Sequence, residues 1–517
     1  MTELSSAVDA DVVIAGAGPV GLMLAAELRL TGVRTIVLER LPEPADASDG
    51  VRGMHARTLE TMDRRGVLGQ LMADAEPVGP DGRGTPVDDL KGPRRVMSGS
   101  HFAGLALLEL GRLESEHPYA LVTSRARIEA VLIERAEELG ADIRRSHTVT
   151  GIEQSADRVV VSAETPDGPR QLTARYLVGC DGGRSAVRKL SGIPFPGNDP
   201  TVTAHVGRAD IVEEHDLPVG WYRTDDGVML RGGAGHGIML IEFTGAPDSR
   251  DEPTPQDFQA AFRRVTASEL TLTNIRHLRR FTDNTRQAEE YVRGRVILAG
   301  DAAHVHAPFG GQGLNLGLQD AVNLGWKLAA QVHGWAPPGL LDTYRAERHP
   351  VAARVLHNTR AQVALMNPSP EVTPLRELFA DVLRLPEANR YLTEMITCVD
   401  VRYGADPGDG PVHPWDGRLV PDLPLKTAEG PVPLVEVLRT GRPVLLDLGD
   451  RADLRAAADR WRDRVDVVTA RCEQPVDTEA VLIRPDGYAA WLPDATHPSD
   501  QQVSTLSWSL AQWFGAA

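Results

Sequence analysis

Cysteine is scarce: a chain of 517 residues carries three, at Cys180, Cys398 and Cys472. Their wide separation fits neither a disulfide framework nor a metal knuckle, so reduced, structural thiols are expected. Positive charge is also in short supply, since 55 Lys and Arg face 72 Asp and Glu and leave a formal net charge of −17. That balance argues against nucleic acid and against acidic membrane surfaces as partners. No apolar run approaches the roughly 18 residues of a membrane span. The opening MTELSSAVDADVV has neither a basic n-region nor an apolar h-region, which predicts a cytoplasmic location. A chain this long exceeds one core, so two or three domains are expected, with room to bury a large cofactor.

What is present is concentrated in Asp11 to Arg40, DVVIAGAGPVGLMLAAELRLTGVRTIVLER. A short apolar strand leads into Gly16, Gly18 and Gly21 at G-x-G-x-x-G spacing, opening a helix that Gly32 stops. The three glycines divide the work into a tight turn, close backbone approach to a pyrophosphate, and close packing of helix on strand. The helix N-terminus offers unpaired N–H groups and a partial positive charge to a diphosphate. A second strand ends at Glu39, where a carboxylate can accept from ribose hydroxyls. The order strand, glycine turn, helix, strand, acid predicts an adenine dinucleotide site.

Two later runs repeat the theme. Gly179-Cys180-Asp181-Gly182-Gly183-Arg184-Ser185 follows an apolar strand and predicts a second strand-to-helix turn beside the nucleotide. Cys180 reads as a small buried residue, with no neighbouring base to make it a nucleophile. The third run, Arg295 to Asn315, delivers Gly300 and Asp301 at the end of a strand. Three glycines around Gln312 then allow main-chain N–H groups to approach a flat ring, and Leu316 to Val332 is predicted as a helix aimed back at it. His304 and His306 form an H-x-H pair with no third ligand in sight, so hydrogen bonding is expected of them and a metal is not. Arg52 and His55 precede a predicted helix from about Ala56 to Arg65. They have two readings: facing the cofactor ring or substrate, or serving as a solvent-facing loop charge and a helix-cap partner.

The remaining pattern sets the domains. Residues 1–189 read as the first part of a dinucleotide-binding domain, 190–285 as a middle β-rich substrate domain, 286–400 as the second part with long helices, and 401–517 as a C-terminal thioredoxin-like domain beyond a Pro/Gly-rich joint. The fold class is α/β: a Rossmann-like domain with an inserted, mostly antiparallel β domain and the C-terminal module. That module holds only Cys472 and no C-x-x-C, so thiol redox activity is not expected. Trp221, Tyr222, His205 and His236 are candidates for a substrate pocket in the middle layer.

With GAGPVG, GCDGGRS and GDAAHVHAPFGGQGLN in this order, the chain resembles the single-component FAD monooxygenases of the para-hydroxybenzoate hydroxylase fold. The phrases YLVGCDGGRSAVRK and GQGLNLGLQDAVNLGWKLA are similar to those of aromatic polyketide oxygenases of antibiotic pathways, including angucycline and anhydrotetracycline hydroxylases. The resemblance covers nearly the whole chain. It implies FAD held by Gly16, Gly18, Gly21, Glu39, Arg40, Arg125, Asp181, Asp301, Pro308, Gly311, Gly313, Leu314 and Asn315, with Arg52 and His55 nearest the chemistry. It also implies NADPH or NADH as transient reductant, O2 as co-substrate and an aromatic polyketide as substrate. Self-association of the chain is compatible with it.

In such enzymes the reduced flavin forms a C4a-peroxide that oxygenates the substrate, the cofactor carrying the hard step. Three departures surround the expected flavin: Gly50 where relatives carry Lys or Arg, Arg125 where they carry Gln, and Phe309 where they carry a small residue. Ring hydroxylation needs the protonated hydroperoxide, and Baeyer–Villiger insertion the peroxide anion. Unit charges about 4 Å apart at an effective dielectric of about 20 interact by about 4 kcal/mol, so Arg52 against the peroxide would favour the anion. Hydroxylation is the leading expectation and Baeyer–Villiger insertion the alternative. A non-oxygenating flavin protein that binds a polyketide, and an enzyme that inactivates an antibiotic by oxygenation, complete the set.

Overall fold

All three glycine bends lie at the carboxyl ends of strands in one sheet. Its parallel strands run in the order Asp142–Arg145, Thr35–Glu39, Ala10–Ala15, Gly168–Gly179 and Val296–Leu298. Val12, Val13, Ile14, Leu177 and Val178 are fully buried, as expected of parallel strands covered on both faces. The order changes direction between Ala10–Ala15 and Gly168–Gly179, the switch point where open α/β sheets bind ligands. The first half of Gly168–Gly179 pairs antiparallel with Val159–Thr165, which in turn pairs with Thr148–Gln154. The computed structural model describes residues 8–45, 50–73, 75–77, 94–212, 217–232, 237–246, 251–404 and 413–517. His236 and residues 405–412 of the Pro/Gly-rich joint lie outside these.

The helix Pro19–Leu30 crosses the helix Gln312–His333 at very short range. A Cβ on Gly317 would lie 2.6 Å from the Val20 side chain, and one on Gly325 would lie 2.5 Å from that of Glu27. Eight residues apart, these glycines share one helical face, so the two backbones meet along a small-residue seam. The seam fixes the glycine loop before Gln312 relative to the loop at Gly16.

The inserted layer is a five-stranded antiparallel sheet in the order Gly220–Arg223, Val228–Arg231, Gly237–Glu242, Thr203–Ile211 and Leu272–Thr282. The helix Pro255–Thr266 starts with a capping box between Thr254 and Asp257. It buries Phe258, Ala261, Phe262 and Val265 on that sheet, a 3.6-residue repeat.

One local expectation changes. Residues read as loop before the Ala56–Arg64 helix include a strand, Val51–Met54, paired antiparallel with Ala120–Ser124. The run HFAGLALLELG is a hairpin of Gly99–Phe102 and Leu105–Glu109, because Ala103 and Gly104 both take positive φ. Two shorter helices, Val372–Val382 and Pro386–Thr397, follow the long helix Asp342–Met366, the second of the two opening on a proline, which starts a helix more readily than it continues one.

The C-terminal sheet has the order Asp466–Thr469, Val444–Asp447, Ala480–Ile483 and Ala489–Trp491, with only the first pair parallel, which is the thioredoxin arrangement. Arg484 fastens it to the rest. Its guanidinium is 1% exposed and donates to Glu347 at 2.6 and 2.9 Å and to Asp486 at 3.0 and 2.5 Å. Glu347, on the long helix Asp342–Met366, also accepts from Lys327 at 2.7 Å and from Asn323 at 2.6 Å. Between these two carboxylates, the Arg484 guanidinium lies 4.7–5.8 Å from the ring centres of Trp326, Tyr403, Tyr488 and Trp513.

Candidate functional site

A cleft of about 580 Å³ opens at the switch point, a volume within the roughly 300–1,000 Å³ range of small-molecule sites. The apolar strand Ala10–Ala15 ends at Gly16, whose φ of +104° suits glycine. A Cβ there would meet the Cys180 carbonyl oxygen at 2.5 Å. The third glycine, Gly21, is a packing residue, since its Cβ would fall 2.0 Å from the Gly16 carbonyl oxygen. The helix beginning at Pro19 has Gly18 as its N-cap, with no side-chain cap and no acid in the first turn. Its first N–H groups are therefore offered to a ligand.

Ten of the expected site residues line this cleft: Gly16, Gly18, Glu39, Arg40, Arg52, Arg125, Asp181, Asp301, Gly313 and Leu314. The Glu39 carboxylate accepts from Ala17 N at 2.8 Å and Leu41 N at 2.9 Å, which ties the second strand to the glycine turn. Arg125 is set by Glu129, to which its Nε donates at 2.7 Å, and its Nη2 lies 3.7 Å from the Cβ position of Gly18. Asp181 uses its carboxylate to accept from Ser185 Oγ and from Ala186 N and Val187 N, so its side chain builds the second bend. Asp301 is exposed in a short 3-10 turn, Gly300–Ala302.

Gly21, His55, Pro308, Gly311 and Asn315 do not line the cleft. Gly310 and Gly311 both take left-handed backbone, and the helix begins at Gln312 where the sequence suggested Leu316. Gly313, Leu314 and Asn315 are thus its first turn. Asn315 spends its amide on the chain, accepting from His55 N and donating to the Gly53 and Gly311 carbonyls at 2.8–2.9 Å. Sequence reasoning missed Leu41, Arg184, His147, Thr148 and Val149, which complete the cleft wall. His147 comes from the turn between Asp142–Arg145 and Thr148–Gln154, and Thr148 and Val149 open the second of these strands, neither of which has a readable alternation.

Among the described residues no group of three or more His, Cys, Asp and Glu is placed to hold a metal ion. His304 Nε2 instead meets Asp320 Oδ2 at 2.6 Å in a fully buried pair. The other oxygen of Asp320 accepts from Arg348 Nε at 2.7 Å, and Gly300 N donates to Oδ2 at 3.1 Å. Burial acts to raise the Asp320 carboxyl, but His304 and Arg348 hold it below the usual carboxylate range. One carboxylate thus fixes the Gly300–Asp301 turn from behind.

Beyond the glycine loop stands an apolar wall that includes Phe102, Trp221, Phe309, Phe379 and Ile396. Of the pocket candidates, Trp221 meets His101 in a tilted contact with ring centroids 4.6 Å apart, whereas Tyr222 is exposed and His205 pairs with Glu242. His55 is buried at the N-cap of the Ala56–Arg64 helix, yet its ring caps nothing and its Nδ1 lies 3.2 Å from the Ile396 carbonyl oxygen. A buried amide ladder spans the wall: Gln312 and Asn358 exchange hydrogen bonds, Gln362 donates to Asn358, and Ala103 N donates to Gln362.

Burial pushes His55 and His101 down to about 4, with the neighbouring His55 and Arg376 charges adding to the effect at His101. Unfolded histidine binds its proton near pH 6.5, so between pH 6.5 and 4 the unfolded chain binds more protons. Stability is full above pH 6.5 and falls as pH drops through this window, by about 3 kcal/mol for His55 alone. The expected result is a urea midpoint that declines from pH 6.5 to 4.5. That decline should be smaller in His55→Gln once its own baseline is subtracted.

Residues 9–359 match the family of the FAD binding domain, and residues 413–517 match the family of the aromatic-ring hydroxylase C-terminal domain. The chain is 46% identical over 529 residues to a 12-dehydrotetracycline 5-monooxygenase/anhydrotetracycline 6-monooxygenase of Streptomyces rimosus, covering 98% of this chain and 99% of that one. It is 43% identical over 513 residues to a rifampicin monooxygenase of Streptomyces venezuelae, with 98% and 99% covered. Among solved structures, an anhydrotetracycline hydroxylase from Streptomyces rimosus superposes with a TM-score of 0.88 at 44% identity, over 98% of this chain and 99% of that one. Among the described residues no helix is long and apolar enough to cross a membrane.

Proposed function

Because the chain belongs to the FAD-binding aromatic-ring hydroxylases and is an FAD-dependent monooxygenase, we propose that it transfers one atom of O2 to a polycyclic aromatic polyketide, most simply as a ring hydroxylation, with NADPH or NADH as reductant. The observation that carries this reading is the cleft itself. It gathers Gly16, Gly18, Asp181, Asp301 and Gly313 from three separate bends, and an apolar wall stands beyond the last of them.

FAD supplies the oxygen-activating chemistry when bound. This chain's residues have the work of holding and biasing it. The bare N-terminus of Pro19–Leu30 and the Arg125 guanidinium would neutralise the diphosphate, and Glu39 would accept from the adenosine ribose. Asp301 would accept from hydroxyls of the ribityl chain. The helix Gln312–His333, entered through left-handed Gly311 with no acid in its first turn, would direct its positive end at the ring's carbonyl edge. The tetracycline- and rifampicin-named relatives support a polyketide substrate, biosynthetic or as an antibiotic to be inactivated.

The purified protein should be yellow, and an aromatic polyketide should accelerate its NADPH oxidation and acquire one labelled atom from ¹⁸O2. A yellow protein whose NADPH consumption never responds to any aromatic polyketide would instead be a flavin-bound carrier. The Baeyer–Villiger alternative rests on Arg52, which lies on the cleft wall. A guanidinium there favours the more negative form of activated oxygen, which inserts beside a ketone. Arg52→Ala is expected to shift products toward the phenol and away from any lactone, by about tenfold for a bias of about 1.4 kcal/mol. An unchanged ratio would remove Arg52 from that role.

A further inference from the structure

Two imidazoles border the apolar wall with one ring nitrogen each uncommitted. His55 Nδ1 faces the Ile396 carbonyl and must carry the proton, which leaves Nε2 as an acceptor. That Nε2 lies 3.5 Å from the Cβ position of Gly311 and 3.9 Å from that of Gly53, at the edge of the glycine loop. His101 has the opposite tautomer. Its Nδ1 accepts from Gly104 N at 3.3 Å, so the proton is on Nε2, a donor. Neither Nε2 makes a hydrogen bond in the described part of the chain. Both rings stay neutral at physiological pH, because burial pushes each down to about 4, and the two are close enough for His55 to depress His101.

The surroundings hold both roles in place. The Trp221 ring lies 4.6 Å from His101, and a Cβ on Gly104 would come within 3.2 Å of the Trp221 ring, so the hairpin tip is pressed on the indole. The amide ladder from Gln312 through Asn358 and Gln362 to Ala103 N ties this tip to the glycine loop beside His55. An apolar wall with one fixed acceptor and one fixed donor is the pattern of a pocket that is greasy in bulk and polar at two chosen atoms. A planar guest carrying a phenolic hydroxyl and a ring carbonyl satisfies both, and a guest lacking either leaves a desolvated nitrogen unpaired.

We propose that His55 Nε2 and His101 Nε2–H read the substrate as a pair, His55 accepting from a hydroxyl and His101 donating to a carbonyl of the same planar ring system, so that the enzyme selects hydroxyquinone-type polycycles. The proposal rests on the aromatic polyketide reading given above, and it assigns a selecting role to His101, which no sequence motif marks.

The test uses the FAD-loaded enzyme and three probes: 2-hydroxyanthraquinone, anthraquinone without the hydroxyl, and 2-anthrol without the carbonyls. Affinity is read from perturbation of the flavin absorbance spectrum, with no turnover required. The wild type is expected to prefer 2-hydroxyanthraquinone to each of the others by about tenfold or more. His55→Leu should erase the preference over anthraquinone and keep the preference over 2-anthrol. His101→Leu should do the reverse. His55→Gln, which keeps an acceptor, and His101→Gln, which keeps a donor, should each restore part of the lost ratio and also serve if a leucine variant fails to retain FAD.

Variants that lower FAD content or thermal midpoint while leaving both ratios intact would overturn the proposal and make the histidines structural. A wild type that binds all three probes equally would overturn the proposal and leave the polyketide reading standing. A wild type whose flavin responds to none of them would take down both.

Discussion

Gly16→Ala is expected to purify colourless, with FAD affinity reduced about a hundredfold or more. The φ of +104° at this position costs a side-chain-bearing residue about 1–3 kcal/mol. The added Cβ would also stand 2.5 Å from the Cys180 carbonyl oxygen, which belongs to the second bend and cannot swing aside. Relief requires the turn to lift off the sheet, which carries the helix N-terminus at Pro19 out of line with the diphosphate. A loss of about 3 kcal/mol in binding corresponds to about a hundredfold. Flavin absorbance after gel filtration and titration with added FAD measure the effect, while unchanged far-ultraviolet dichroism shows that the chain still folds. Retention of stoichiometric flavin would disprove the role given to the first bend.

Arg348→Met should lower global stability by about 3–5 kcal/mol, the cost of leaving a buried charge without its partner. Arg348 is 1% exposed and donates to Asp320, to the Tyr403 hydroxyl and to the Leu316 carbonyl. Its removal leaves the buried Asp320 carboxylate without its guanidinium partner, with the His304 ring still 2.6 Å from its other oxygen. Because Asp320 also accepts from Gly300 N, the damage should reach the Asp301 turn. The expected outcome is a lower thermal midpoint together with weaker FAD retention, and Arg348→Lys should recover little of either, since an ammonium cannot make the forked contacts. A variant as stable as the parent would show that the buried cluster contributes nothing to the fold.

The parts of this site that could be read in the sequence are those in which chemistry and chain proximity coincide. Gly16, Gly18, Gly21 and Glu39 sit within thirty residues of one another, and their spacing alone predicts strand, turn, helix and strand as the structure has them. The thioredoxin-like module was legible for the same reason, since its strands alternate with turns and helices in short order. What escaped depends on distant partners. Val51–Met54 becomes a strand because Ala120–Ser124 lies beside it, and nothing between Pro42 and Gly53 announces that neighbour. His304 and Asp320 are sixteen residues apart and Arg348 twenty-eight further on, so only the packing of two helices reveals one charge cluster. His101 is less legible still, for it stands in an irregular stretch and gains its meaning from Trp221 in the inserted sheet.

Arg484 carries a consequence for biogenesis. Glu347 and Lys327 are enclosed by surfaces that include residues near position 484, so a nascent polypeptide emerging from the ribosome holds a half-built ionic knot until Arg484 has followed them out. Helix Gln312–His333 shares that knot through Asn323 and Lys327. Vitamin capture should therefore wait for that module, and ribosome-stalled chains lacking it should emerge without flavin and in the care of chaperones.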